Sequence, residues 1–381
     1  ANWANWGGLN DALRNQEIDQ GNLPSNFYMG KMGGTVNINS LARLYNRGFK
    51  LSVASSNRSY GARWMMTYGS PWLKRDWKIN ASASIRFAEE GYRQGTPYES
   101  YSFLCSFDKQ FPGNHFVNLT GILAHNRRGT PSAMTEEVFR LKSARYNSNW
   151  GYQAGVKRNA RLKRSMEPII QVNYKWNVNP DMILGAHLTA QWGSSGKSRL
   201  DYGGSRRLQD TGIFVGGGLN PDPSYYQNLP SYFLRNKENQ DYAGALLAGQ
   251  HFLKGGKIDW EELYRSNSSA QPKGNSIYAQ YEDRAENSSI SFQGEIFRQL
   301  GAKLHLRAAV WGKMLSSKRY AFMLDLLGGS GYLDIDPFDS GTYEAQSDLR
   351  NPDRIVREKE RFKYNYKIDA SDFTAYLRMD Y

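Results

Sequence analysis

Cysteine is nearly missing: Cys105 is the single one in 381 residues. A lone thiol has no partner to bridge, so a disulfide scaffold is excluded. No apolar run reaches the roughly 18 to 20 residues that a transmembrane helix requires, which excludes a helical membrane protein. A transmembrane β-barrel stays open, because only every second residue of its strands meets lipid. The five histidines, His115, His125, His187, His251 and His305, are scattered, with no H-E-x-x-H helix and no cysteine pair. Each reads as a satisfied histidine on a strand or lumen wall, and neither a metal, a cofactor nor an enzymatic activity is expected. The glycines of "VGGGLN" at 215–220 follow no βα unit and make no phosphate loop. "ANWANWGG" at the start lacks a basic region followed by an apolar segment. No signal peptide is therefore expected within this chain: either one was removed, or the chain starts inside a larger protein.

Charge of one sign is in excess, at +13. That permits a nucleic-acid partner, but the cations are spread through predicted loops with no recognisable module around them, and none is expected. The densest cluster, "KRNARLKR" at 157–164, suits a loop facing lipopolysaccharide phosphates on an outer-membrane protein, or a solvated loop on a soluble one.

Aromatics (14%, with 25 Tyr and 10 Trp) and 37 Gly make the mixture of strands, tight turns and interfacial belts. In "WKINASASIRF", Trp77, Ile79, Ala81, Ala83, Ile85 and Phe87 share one face and Lys78, Asn80, Ser82, Ser84 and Arg86 the other. Only a strand has that period. Ile170, Val172, Tyr174 and Trp176 alternate with Gln171, Asn173, Lys175 and Asn177, and "FTAYLRMDY" sets Leu377 and Met379 opposite Arg378. The same reading gives about ten strands: 48–57, 60–69, 77–88, 98–110, 115–126, 167–178, 182–194, 288–299, 304–315 and 362–381. The apolar members are expected to face lipid, and Arg86, Ser84, Asn173, Lys175 and Arg378 a wet lumen.

Connection lengths alternate. Short ones at 69–76, 112–114, 179–182 and 301–303 interleave with mostly long ones at 127–166, 195–287 and 316–361. A soluble sandwich has no reason to segregate loop length by end, whereas an outer-membrane barrel puts turns at one rim and loops at the other. Within the first long loop, Ser132 or Thr135 is placed to cap a short helix whose adjacent Glu136 and Glu137 diverge, which argues against a paired acid and base. In the second, Tyr225, Tyr226 and Tyr232 can stack on a sugar, peptide or chelate ring, or simply pack that loop.

"NFYMGKMGGTVNINS" at 26–40 resembles the last element of the plug of TonB-dependent receptors, with Gly33 and Gly34 at a tight turn and Val36, Asn37 and Ile38 in the strand after it. "NWGGLNDALRNQE" (5–17), "VASSNRSYGARWMMTY" (53–68), "EEGYRQGTPYESYSF" (89–103), "NSNWGYQAGVKRNAR" (147–161), "NPDPSYYQNLPSYF" (220–233), "IDWEELYRSN" (258–267) and "NPDRIVREKERFKYNY" (351–366) resemble the Bacteroidetes-type members related to the SusC-like branch. The resemblance spans nearly the whole chain. It implies an all-β fold: part of a large antiparallel transmembrane β-barrel of about 22 strands, with residues 1–42 the C-terminal part of a plug domain and 43–381 the first portion of the barrel. It implies residence in the cell outer membrane, uptake of a glycan, peptide or metal chelate, and a TonB-type energising partner. Lipid, lipopolysaccharide, a surface lipoprotein and other complex subunits are possible further partners. Gly33, Gly34, Asn37 and Asn39 are then plug residues, the asparagines bonding the polar lumen faces, and the remaining strands are expected beyond Tyr381. The alternative functions are a non-transporting scaffold barrel in an outer-membrane complex and a soluble carbohydrate-binding β protein.

Overall fold

The computed structural model describes residues 6–21, 33–207, 214–269, 275–336 and 343–381. A small inner hairpin pairs β1 (Gln16–Asp19) with β2 (Thr35–Ile38). The wall then runs β3 (Gly48–Ser55), β4 (Ala62–Gly69), β5 (Trp77–Ala88), β6 (Tyr98–Phe111) and β7 (His115–Gly129). Helix α1 (Glu136–Lys142) and a hairpin of β8 (Trp150–Gln153) and β9 (Val156–Asn159) lead to β10 (Leu162–Met166), β11 (Ile169–Asn179) and β12 (Met182–Asp201). The longest connection holds β13 (Ser205–Arg207), β14 (Phe214–Gly216), α2 (Pro230–Phe233), α3 (Tyr242–Lys254) and α4 (Trp260–Ser269). Finally come β15 (Ala279–Leu300), β16 (Leu304–Asp325), β17 (Tyr332–Leu333), β18 (Ile355–Val356) and β19 (Arg361–Asp380).

One 11-stranded sheet forms the wall, in the order β19-β16-β15-β12-β10-β7-β6-β5-β4-β3, with β11 also lying between β12 and β7. Strands β10 and β11 are one strand interrupted at Glu167–Pro168, since Met166 faces His125 and Ile169 faces Ile122 in unbroken register. The proline ring has no N–H for the ladder. That leaves ten wall positions, every pairing antiparallel, and each of the ten strands read from the sequence is present.

The difference lies in length. The strand expected to end at 194 continues to Asp201, that expected from 288 begins at Ala279, that expected to end at 315 reaches Asp325, and Leu162–Met166 extends the strand read from 167. Stretches such as "SSGKSRLD" carry no apolar alternation, because these outer ends stand above the lipid band and are held by backbone pairing together with ion pairs and packing from the loops, as at Arg199–Asp283 and Tyr281. The turns at 70–76, 112–114 and 301–303 and the tight turn after Asn179 share one rim, and the long connections share the other. Left-handed backbone tightens the first rim at Arg75 (φ 61°), Asp76 (φ 57°) and Asn114 (φ 62°).

The wall is polar within and apolar without. On β5, Lys78, Asn80, Ser82 and Ser84 are buried while Trp77, Ile85 and Phe87 are exposed. β6 buries Ser100, Ser102, Ser106 and Asp108 and exposes Tyr101 and Phe103. Such a surface is stable only where the outside is hydrocarbon. Ile170, Val172, Leu377 and Met379 lie on the exposed side, as expected. Near the turn rim His115 stacks on Trp176 at 5.0 Å and Lys109 lies over Trp77 and Phe111, an interfacial belt of aromatic rings with a snorkelling cation.

Residues 6–13 and 38–45 sit against the polar face. Leu9, Ala12 and Leu13 pack with Leu104, Ile122 and Ile169, joined by Trp6 and Ile38. Ser102 donates to the Gly7 carbonyl, the Arg43 N–H donates to Asp108 Oδ2 at 2.7 Å, and the Arg43 guanidinium covers the Phe116 ring at 3.8 Å.

Two outcomes test this arrangement. Ile85→Arg, in the outer band, lowers stability in vesicles by about 2–4 kcal/mol, read from urea titration of the membrane-inserted protein; an unchanged midpoint rejects the lipid-facing assignment. On whole cells, a tag at Lys237 stains with antibody and a tag at Gly113 does not.

Candidate functional site

At the loop rim the wall strands and their connections enclose a cavity of about 1120 Å³. Arg58 and Arg93 enter it from the β3–β4 and β5–β6 connections, Arg161 from just before β10, and Arg128, Lys163, Lys197 and Arg199 from the wall. Tyr92, Tyr98, Pro97 and Pro131 add apolar surface, and among the described residues no carboxylate lines it. Arg128 faces Lys163, and Lys163 faces Lys197, directly across adjacent strands, so three cations stand side by side on the lumen face. Arg93 is fixed by donating to the Tyr146 carbonyl at 3.1 Å. The loop that carries it is tied down at Glu90, which accepts from Gly95 N–H at 2.8 Å and Lys157 Nζ at 2.9 Å, with Arg145 at 3.9 Å. Burial alone pushes the Glu90 carboxyl up; the Gly95 N–H and the two cations outweigh it and hold the group below its ordinary value.

Deeper in the lumen a second cavity, of about 480 Å³, lies between residues 37–43 and the wall. A hydrogen-bonded row crosses its floor. Asn118 Nδ2 donates to Asp108 Oδ1, Asn173 Nδ2 donates to Asn118 Oδ1 at 2.8 Å, His187 Nδ1 meets Asn173 Oδ1 at 2.8 Å, and His187 Nε2 lies 3.5 Å from Glu295 Oε1. The row links β6, β7, β11, β12 and β15, and Arg43 N–H on Asp108 joins the inner segment to its end.

Several residues singled out in the sequence take defined places. Tyr225, Tyr226 and Tyr232 come together, with ring centroids 4.7 Å and 5.5 Å apart, and Arg235 covers Tyr232 at 3.5 Å. They stack on one another and line neither of the two cavities just described. Gly33 (φ 101°) and Gly34 (φ 102°) lead into β2, and a Cβ on Gly34 would meet the Asp19 carbonyl oxygen at 2.1 Å. Residues 26–32 of the same motif lie outside the described residues. Asn37 and Asn39 line the deeper cavity; the Asn39 side chain accepts from Leu41 N–H at 3.2 Å, while the segment bonds to the wall through Gly7 and Arg43.

"KRNARLKR" is not a free loop. Lys157 pairs with Glu90, Arg158 with Asp325 at 2.7 Å and Arg164 with Glu282 at 2.8 Å, each carboxylate lying far away in sequence, while Arg161 and Lys163 enter the mouth. Thr135 caps α1 by accepting Val138 N–H at 3.3 Å, and its two glutamates do diverge, Glu136 to Arg140 and Glu137 to Ser231. Sequence reading missed the row of Arg128, Lys163 and Lys197; only register brings them together.

No family model and no curated protein matches this chain. Solved structures do. The ferripyoverdine receptor of the outer membrane of Pseudomonas aeruginosa, bound to ferripyoverdine, matches over 95% of this chain and 38% of its own, with a TM-score of 0.51 at 8% identity. FpvAI in its complex with pyocin S2 matches over 96% of this chain and 39% of its own, with a TM-score of 0.52 at 9% identity. The wall therefore shares the fold of these structures, one of them an outer-membrane receptor. The chain spans about two fifths of the length of these structures.

Because Glu90 is held low, its contribution is full above the unfolded carboxylate value of about 4.3 and fades as pH falls through the lower folded value. Amides of 150–159, corrected for intrinsic exchange, stay protected from pH 7 to about 4.5 and lose protection below it. Glu90→Gln removes that dependence; a dependence that survives the substitution refutes the role of Glu90.

Proposed function

We propose that this chain belongs to a TonB-dependent outer-membrane receptor of the Bacteroidetes, SusC-like branch, which imports a nutrient ligand through a plugged barrel. The observation that carries it is the seating of residues 6–13 and 38–45 on the lumen face, beneath a mouth that opens to the loop rim. A segment so placed obstructs the lumen and must move for a solute to pass. Residues 1–42 act as plug and 43–381 as barrel wall, and the sequence phrases shared with SusC-like receptors supply the branch. In the membrane the open edges of β3 and β19 are covered by further strands, since unpaired backbone groups are not tolerated in lipid. Ligand held at the mouth is released inward when a TonB-type protein, energised from the inner membrane, pulls on the plug and breaks contacts such as Arg43 N–H to Asp108.

Gly34→Val tests the plug. The left-handed φ and the Asp19 carbonyl exclude a branched side chain, while barrel closure depends on strand pairing elsewhere. Uptake of the nutrient that supports growth falls at least about tenfold at unchanged surface abundance, a loss of 1.4 kcal/mol or more in the transport step. Normal uptake in a strain lacking the whole protein, with defective assembly of other outer-membrane proteins, replaces the transporter by a scaffold.

A further inference from the structure

We propose that the outer mouth recognises a compact polyanion, a solute bearing several phosphate, sulfate or carboxylate groups at spacings near 5 Å, through the cation row Arg128–Lys163–Lys197. The proposal deepens the uptake reading by naming its substrate class, and rests on it for where the ligand goes.

The cations are held in register by β7, β10 and β12, whose spacing is about 4.8 Å. Like charges directly opposite each other on neighbouring strands destabilise a sheet. Nearby cations avoid that cost by pairing: Arg127 with Glu99 at 3.7 Å, Arg164 with Glu282 at 2.8 Å and Arg199 with Asp283 at 2.5 Å. No ion pair among the described residues reaches Arg128, Lys163 or Lys197. The mouth thus concentrates positive charge on one face of a cavity lined, among the described residues, by no carboxylate, and low-dielectric walls focus that field on whatever enters. A single anionic group would neutralise one rung and leave two in repulsion. Several anions at strand spacing neutralise all three, and Tyr92 and Tyr98 offer ring faces to the scaffold that bears them.

The intact protein, purified in detergent, is titrated with inositol hexakisphosphate and with a heparin-derived tetrasaccharide, each beside its uncharged counterpart, myo-inositol and the desulfated tetrasaccharide. At least one charged probe binds, its neutral counterpart does not, and affinity falls with added salt. Lys163→Gln and Lys197→Gln each weaken binding about tenfold, whereas Arg128→Lys, which keeps the charge, weakens it less. Both glutamine substitutions relieve repulsion, so the heat-resistant gel mobility of the folded barrel is retained. Binding of the inositol phosphate alone assigns the mouth to small phosphorylated solutes, and binding of the tetrasaccharide alone assigns it to acidic glycans; either upholds the class. Unchanged affinity in the Lys163→Gln/Lys197→Gln double variant, or equal binding of the neutral counterparts, overturns it. Uptake of a neutral nutrient with no polyanion bound leaves the transporter standing and removes this proposal. Polyanion binding with normal uptake in the deletion strain does the reverse.

Discussion

The chain of hydrogen bonds from Asp108 through Asn118, Asn173 and His187 to Glu295 is what the lumen depends on. A wall surrounded by hydrocarbon has no apolar core to gather around, so its inner face must satisfy polar groups with one another or with water. A row of this kind does so sideways, strand to strand: Asn118 and Asn173 each donate to one neighbour and accept from the next, and His187 meets an oxygen on either side. Register and row reinforce each other: a slip of one residue would turn every member outward into lipid. The same row gives the inner segment its anchor, because Asp108 at its end accepts the Arg43 N–H.

Height along the barrel divides the labour. Near the turn rim the outside carries rings and a snorkelling lysine; in the middle the inside carries amides and hydroxyls; at the loop rim the inside carries guanidinium and ammonium groups. The apolar clusters of the chain lie inside this frame or above it. One joins the inner segment to Leu104, Ile122 and Ile169; another packs Tyr281, Met323 and Phe362 under the β17–β18 connection; a third gathers Trp260, Leu263 and Ile258 near Ala160. The loops are therefore small packed domains with their own cores, built on rigid strand extensions.

Wherever lipid imposes a period of two, the sequence shows the strand, as "WKINASASIRF" and "FTAYLRMDY" do. Above the lipid band, along Ser194–Asp201 and Ala279–Asn287, loop packing and ion pairs take the place of lipid, so no period survives and the strands read as loops. The site suffered most from this. Arg128, Lys163 and Lys197 belong to three strands, and each lies beyond the strand bounds that the sequence shows, so only their pairing reveals the row. Conversely, the eye-catching run "KRNARLKR" splits into structural ion pairs and mouth cations because its partners, Glu90, Glu282 and Asp325, lie far away in sequence. Tyr225, Tyr226 and Tyr232, read from the sequence as rings for a ligand or for packing their loop, stack on one another.

Pro168 breaks the ladder between β10 and β11, and directly beside it on β12 Gly193 adopts φ 131°. Side chains bridge the gap: Asn287 Nδ2 donates to Glu167 Oε1 at 2.8 Å and Ser317 donates to Asn287 Oδ1 at 2.8 Å. The interruption is confined to one strand: β12 pairs with β15 without a shift from Met182 to Asp201, so tilting the cation-bearing ends would still strain an unbroken ladder beside the gap. The mouth is therefore mechanically continuous with the part of the wall that lipid surrounds, and the side chains of Glu167, Asn287 and Ser317 stand in for the one bond that Pro168 withholds.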